Sequence, residues 1–334
     1  MPDSKTSVGP RVFTDLQVSQ SEWWATRISV FRARHGRGLL IQLGNVLSLL
    51  CAAAKHDVVI TSSVRNALLL GLTKSLGLVR RPRIVTVETR LDEPAPGLRW
   101  RLKVCLQRIA FRHVDVVCVS ARDEIKAYSD RLRLPVGRFR FVPWHTNVLE
   151  PARYSAPDGY IFSAGRTGRD WSTFTEAVKG LACPIAVVCD ADTRIRETFP
   201  KHATVESEIP YARYRQLLIG ARIVVIPLEE RVYSSGQVVI LEAMALGKPV
   251  IATRAVGSAD YINDGITGLL VPPNDAPSLR AAIVRLLEDD ALADRLSRNA
   301  LETVLESHTL DRYLHTIEGI AKRLALKQRA PVED

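Results

Sequence analysis

From about residue 38 onward the chain alternates helix-like stretches with short apolar runs rich in β-branched residues, and no other feature constrains the fold as strongly. Short apolar runs bounded by turn residues fit strands buried on both faces. Helical stretches between them are what parallel pairing requires. In the first half the expected strands are Val58–Thr61, Ile84–Val87, Val114–Val119 and Phe139–Val142. A second series is expected at Tyr160–Ser163, Ile185–Val188, Val205–Ile209, Ile223–Pro227, Val250–Thr253 and Leu269–Val271, with helices over 171–181, 211–220, 237–246 and 277–305.

Between the two series, Val142-Pro143-Trp144-His145-Thr146-Asn147, Pro151 and Ser155-Ala156-Pro157-Asp158-Gly159 carry the punctuation of an interdomain linker. With 334 residues, more than one core usually organises, the chain reads as two α/β domains in tandem. Each is expected to be Rossmann-like.

Charge divides the same way. Residues 1–150 hold 24 Lys and Arg against 12 Asp and Glu, net +12, whereas residues 151–334 hold 22 against 24. A basic half can meet nucleic acid, an anionic membrane surface or an acidic acceptor, or be a plain solvated face. Trp23-Trp24 followed by Arg32-Ala33-Arg34-His35-Gly36-Arg37 reads equally as an interfacial anchor and as an N-terminal arm packed on the fold. Trp100 to Ile109 is a second basic amphipathic stretch, read equally as an ordinary surface helix. Neither shows the interleaved aromatics of a nucleic-acid site, and no nucleic acid is expected.

The five cysteines (51, 105, 118, 183 and 189) form no CxxC pair and are expected to be reduced core residues of a cytoplasmic protein. The apolar stretch Leu39–Ala54 carries Gln42, Asn45 and Ser48 and is too short for a membrane span, so it is expected to be a buried amphipathic helix.

The segment with most chemistry is Ser234-Ser235-Gly236-Gln237, leading into a helix that holds Glu242 and then into Gly247-Lys248-Pro249-Val250-Ile251. A small-residue turn before a helix lets backbone N–H groups meet an anion. A carboxylate farther along the helix can accept from two adjacent hydroxyls, as a ribose diol offers them. The bare alternative is a loop-to-helix junction. Asp190-Ala191-Asp192 invites a metal reading, but an Asp-rich loop after a strand needs no such cause, and no metal is expected.

Glu242-Ala243-Met244-Ala245-Leu246-Gly247-Lys248-Pro249-Val250-Ile251 and Gly265-Ile266-Thr267-Gly268-Leu269-Leu270-Val271-Pro272 together resemble two segments of the GT-B glycosyltransferases, in particular the retaining family 4, also called glycosyl transferases group 1. Val114-Asp115-Val116-Val117-Cys118-Val119-Ser120 resembles a strand of the same family. The resemblance implies two Rossmann-like domains facing across a cleft, residues 1–148 on the acceptor side and 149–309 on the donor side. A last helix, about 310–330, is implied to cross back to the first domain.

It also implies a metal-independent hexosyltransferase without cofactor, acting with retention; the cysteines and the basic half add the expectation of a place in the cytoplasm or at the cytoplasmic face of the membrane. The implied partners are a nucleotide-sugar donor and an acceptor that is a glycan, lipid-linked or a small molecule; an anionic membrane surface is a further expectation from the basic first half and Trp23-Trp24. In the family a Glu-x7-Glu motif binds the donor. Glu242 matches its second Glu, and Ser234 stands at the first, so Ser234, Ser235, Gly236 and Gln237 are expected to supply donor contacts instead. Gly165, Arg166 and Arg169 match the site that meets the donor diphosphate, although the family's usual Lys is missing. Glu88, after an expected strand, is the candidate facing the reacting sugar. Three rival readings remain: an inverting GT-B transferase, a sugar-nucleotide epimerase, and a binding protein for sugar nucleotides or membrane surfaces that has lost turnover.

Overall fold

A computed structural model describes residues 11–16, 28–30, 39–79, 81–191 and 199–329, with the side chains of 39–45 and 327–329 outside the description. Trp23-Trp24, the basic run 32–37 and Asp192 lie outside the described residues. The chain divides into two compact units. The first holds described residues up to Ser120, with Ile125–Val142 and the chain from Leu314 on; the second holds Ala121–Glu124 and Pro143–Tyr313.

Each unit is built on a six-stranded, all-parallel sheet. In the first unit the strands are β1 (Val12–Thr14), β2 (Ser29–Val30), β3 (Val58–Thr61), β4 (Arg83–Thr86), β5 (Val116–Val119) and β6 (Phe139–Phe141), in the order β2-β1-β3-β4-β5-β6. The described helices are α1 (Leu39–Ala54), α2 (Val64–Ser75), α3 (Leu98–Phe111) and α4 (Arg122–Leu132), the first residues of α4, up to Glu124, counting with the second unit. β3 is buried along its whole length, as a strand covered on both faces must be. β1 pairs with β3 from Val12↔Val58 to Thr14↔Ile60 and was not expected, because three residues carry too little periodicity to read. α1 is a helix as expected but is not buried throughout. Leu49 and Ala53 face the core, whereas Leu47 and Cys51 are exposed.

In the second unit the strands are β7 (Tyr160–Ala164), β8 (Ile185–Cys189), β9 (Ala203–Ser207), β10 (Ala221–Ile226), β11 (Val250–Thr253) and β12 (Leu269–Val271), in the order β12-β11-β10-β7-β8-β9. Its described helices are α5 (Trp171–Val178), α6 (Tyr211–Ile219), α7 (Gln237–Ala245), α8 (Ala276–Glu288) and α9 (Asp290–Ser307); α10 (Leu310–Arg329) ends the description. One face of this sheet packs Ile240 and Met244 of α7 with Ala300 and Val304 of α9. The other packs Phe174 of α5 with Leu279 and Ile283 of α8.

The single helix expected over 277–305 is two helices. Asp289 ends α8 and its carboxylate accepts from Leu292 N at 2.8 Å, capping α9. Such a cap contributes about 1 kcal/mol, enough to fix the break there. Of the cysteines, Cys118 and Cys189 are buried, but Cys51 and Cys105 are exposed, against the expectation of core residues. Both are set on outward helix faces within apolar text.

Candidate functional site

In the second sheet the chain runs outward from β7 to β9 and then returns to pair β10 against the other side of β7. The carboxyl ends of β7 and β10 therefore form a topological switch point, where parallel sheets leave room for a ligand. The two loops that leave it are laced together. Glu229 N donates to Gly168 O at 3.1 Å, Asp170 N donates to Pro227 O at 3.1 Å, and Arg169 bridges Leu228. A methyl group placed on Gly168 would stand 3.0 Å from Ser235 Oγ. The loop that carries Gly165, Arg166 and Arg169 is in this way held against the loop that leads to Ser234, Ser235, Gly236 and Gln237.

Helix α7 begins at this point. Gly236, at φ +87°, adopts a left-handed conformation that L side chains rarely take, and a Cβ there would stand 3.0 Å from Leu228 Cδ2. Among the described residues no side chain caps the helix, so its first N–H groups, which have no intrahelical acceptor, are available to a ligand. The Gln237 side chain is 8% exposed, and its Nε2 is buried without a hydrogen-bond partner among the described residues. An uncapped helix start beside an unused amide donor favours an anion through both donors and dipole.

The two arginines differ. Arg166 is exposed and meets Glu208 at 3.6 Å. Arg169 is buried, donating Nε to Ala164 O at 2.8 Å and Nη1 to Thr167 O at 3.2 Å, with its guanidinium packed under Gly165. Burial lowers its pKa to about 10, while the nearby Tyr214 pulls the other way. Among the described residues no carboxylate pairs with it. A buried cation without a counter-charge is costly, and an incoming anion would relieve that cost.

Glu242 lies five residues into α7, about 7.5 Å along the axis from Gln237. It is buried, and its Oε1 accepts from Tyr211 Oη at 3.1 Å and Asn147 Nδ2 at 3.3 Å. The buried Tyr214 hydroxyl faces the same carboxylate without making a hydrogen bond of good geometry, and it is also close to Arg169. Burial pushes the Glu242 carboxyl above its ordinary range, and the polar hydrogens of Tyr214, Asn147 and Tyr211 pull it back. Burial and the adjoining carboxylate raise Tyr211 to about 12, so it remains a donor. No described donor occupies Oε2, which leaves one carboxylate oxygen for a ligand.

Ser234, where the resemblance implies a carboxylate, donates both its N–H (2.8 Å) and its Oγ–H (2.9 Å) to Oε1 of Glu124 within the second unit. A buried carboxylate thus reaches that turn from a distant part of the chain. Tyr211, Asn147 and Glu124 carried no signal in the sequence, since their roles depend on contacts across 31, 95 and 110 residues.

Glu88 belongs to the first unit. It follows β4 and sits at φ +53°, a strained conformation for a non-glycine residue. At the switch point of the first sheet, between β1 and β3, stands Asp15, which the sequence did not single out. It accepts from Ser62 N at 2.8 Å, Asn66 Nδ2 at 2.6 Å and the Thr61 hydroxyl. His145 packs rather than reaches for a ligand. Its ring lies 4.8 Å from Tyr313 and 6.1 Å from Trp144, and burial lowers its pKa.

The opposite, amino ends of the second sheet hold a cavity of about 350 Å³ lined by Arg153, Arg222, Lys248, Asp290, Asp294 and Ser297. Lys248, 1% exposed, donates to the carbonyls of Tyr154 (2.6 Å), Ile219 (2.5 Å) and Ala221 (2.9 Å). Its three protons are all used.

Comparison with known proteins decides the fold. The structure superposes on sucrose-phosphate synthase from Thermosynechococcus elongatus with a TM-score of 0.69 at 20% identity, covering 90% of this chain and 84% of that one. It superposes on Anabaena HepE in complex with UDP-glucose with a TM-score of 0.67 at 16% identity, covering 88% and 85%. The fold is of the GT-B type.

Residues 191–289 match the family model described as Glycosyl transferases group 1. Alpha-D-kanosaminyltransferase of Streptomyces kanamyceticus is 33% identical over 94 residues, 28% of this chain and 24% of that protein. D-inositol 3-phosphate glycosyltransferase of Nocardioides sp. is 42% identical over 64 residues, 19% of this chain and 14% of that protein. The similarity to these curated relatives therefore spans less than a quarter of their length.

Proposed function

We propose that the protein is a glycosyltransferase that binds a nucleotide-sugar donor at the β7–β10 switch point of the second unit. The observation that carries this reading is the buried Arg169, which has no carboxylate partner among the described residues and lies on a loop laced to the segment that leads into α7, whose Gln237 amide is likewise without a described partner. In this reading the three donors serve one diphosphate. Farther along α7, the open oxygen of Glu242 is set to accept from the ribose hydroxyls.

In this reading Arg169, Arg166 and the turn Ser235-Gly236-Gln237 stabilise the charge that grows on the leaving diphosphate, and no metal ion is needed for that task. Gly165 keeps the backbone close enough for Arg169 to pack beneath it. Ser234, anchored on Glu124, shapes the turn that meets the sugar. Glu88, in the first unit, is the candidate to act on the reacting sugar. The likeness to retaining family 4 supports transfer of a hexose with retention, the leaving phosphate oxygen taking the proton of an acceptor hydroxyl carried by a glycan, a lipid-linked molecule or a small molecule. Product stereochemistry distinguishes this from an inverting transfer or an epimerisation.

The test is thermal denaturation with UDP, UDP-glucose and other nucleotide sugars, for wild type and Glu242→Ala. A ligand at a hundred times its dissociation constant adds about 2.7 kcal/mol, which is a shift of about 5–10 °C for a unit of this size. One nucleotide class should shift the wild type and leave Glu242→Ala unmoved. No shift with any nucleotide would overturn the reading.

A further inference from the structure

Helix α3 is built back to front for a surface helix. Gln107, Ala110 and Phe111 face the core, yet the opposite face is also apolar: Leu98, Leu102, Leu106 and Ile109 are 70%, 56%, 51% and 37% exposed, and Cys105 is exposed between them. These five residues fall at i, i+4, i+7, i+8 and i+11, a single stripe at 3.6 residues per turn. The stripe is therefore continuous, where scattered exposed leucines would call for no explanation.

The helix's own charges around the stripe are of one sign. Arg99, Arg101, Lys103 and Arg112 are exposed beside it, and residues 98–112 contain no Asp or Glu. Lys103 pairs with Asp92. Among the described residues no carboxylate pairs with Arg99, Arg101 or Arg112. The helix is fastened to its unit from below, where Arg131 lies 4.4 Å over the Trp100 ring and Arg108 Nε donates to Arg131 O at 2.8 Å.

We propose that α3 lies in the headgroup region of an anionic membrane, its leucines reaching the acyl boundary and its arginines meeting lipid phosphates. Charge complementarity selects this occupant. A second copy docked through the same stripe would bring an all-basic helix against itself, which like-charge repulsion opposes. Lipid phosphates satisfy the cations, and the acyl boundary takes the leucines. This surface lies on the first unit, so it stands or falls separately from the donor site.

The experiment is flotation of the full chain with phosphatidylglycerol-containing vesicles and with pure phosphatidylcholine vesicles at low and high salt, beside sedimentation of the free protein. Wild type should float with the anionic vesicles, lose binding at high salt and remain below with phosphatidylcholine. Leu102→Glu with Leu106→Glu should weaken binding at least about tenfold. Arg99→Gln and Arg101→Gln should each weaken it about fivefold. All variants should keep the wild-type thermal midpoint and its nucleotide-induced shift, which separates loss of membrane binding from misfolding and from failure of the donor reading. Variants that float like wild type would overturn the proposal, and so would wild type that ignores anionic vesicles. A dimer that Leu102→Glu dissociates without any change in flotation would assign the face to a second copy instead.

Discussion

Two buried cations sit at opposite ends of the second sheet, and the contrast between them separates a site from a scaffold. Lys248, at the amino ends, spends all three protons on the carbonyls of Tyr154, Ile219 and Ala221. Arg169, at the carboxyl ends, bonds two carbonyls but has no counter-charge among the described residues, where the Gln237 amide at the start of α7 is also without a partner. Saturation marks a group whose work is internal. Incomplete satisfaction marks one whose partner comes from outside. The 350 Å³ cavity lies at the saturated end, so a cavity by itself does not mark the proposed site.

The largest effect that would sharpen this contrast is on Lys248. Lys248→Ala strands three carbonyls and should cost about 3 kcal/mol, a drop of roughly 6–12 °C in Tm, with the nucleotide-induced shift preserved. If Lys248→Ala abolished nucleotide binding without loss of stability, the assignment of roles would be reversed.

Arg169→Met should do the opposite, weakening UDP binding about 10- to 100-fold by titration calorimetry while changing stability by about 1 kcal/mol. Next in size is Glu242→Gln, expected to weaken UDP binding about tenfold. Because burial raises the Glu242 pKa, its protonation favours folding, and that stability is lost as pH rises through the folded-state value. The Gln variant should therefore have a higher Tm than wild type at neutral pH without ligand. Binding runs the other way, since the ribose needs the carboxylate: wild-type affinity should fall as pH drops through a point above the ordinary glutamate range, and Glu242→Gln should lack that inflection. The smallest effect belongs to Arg166→Ala. Its exposed pair with Glu208 should be worth less than about 0.5 kcal/mol, so any loss of UDP affinity beyond a few-fold would assign it to phosphate rather than to Glu208.

Much of the fold was readable because parallel strands buried on both faces are written as unbroken apolar runs. β3, β11 and β12 begin and end where their sequences predict. Errors arose where a short signal had to outvote a long one. Asp289 breaks a run of helix-forming residues by a single cap, and β9 lies two residues earlier than expected, at the sheet edge where none of its residues is fully buried and the apolar signal is weak. In the site, the turn and Glu242 are local in sequence and could be read. Tyr211, Asn147 and Glu124 could not, because their meaning arises only when distant segments meet. Asp15 was hidden by a strand too short to show a period.

The strand order of the second sheet also bears on how the protein is made. β7 is a central strand, but its partner on one side, β10, is separated from it by about sixty residues. On a ribosome adding about 5–20 residues per second, β7 waits about 3–12 s with one backbone edge unpaired. Until Ile226 emerges, the growing chain carries an open, apolar β-edge of the kind that recruits other chains. The stretch between β9 and β10 is therefore where a synonymous slow-down in translation, or a chaperone arriving late, would reduce the yield of folded protein most.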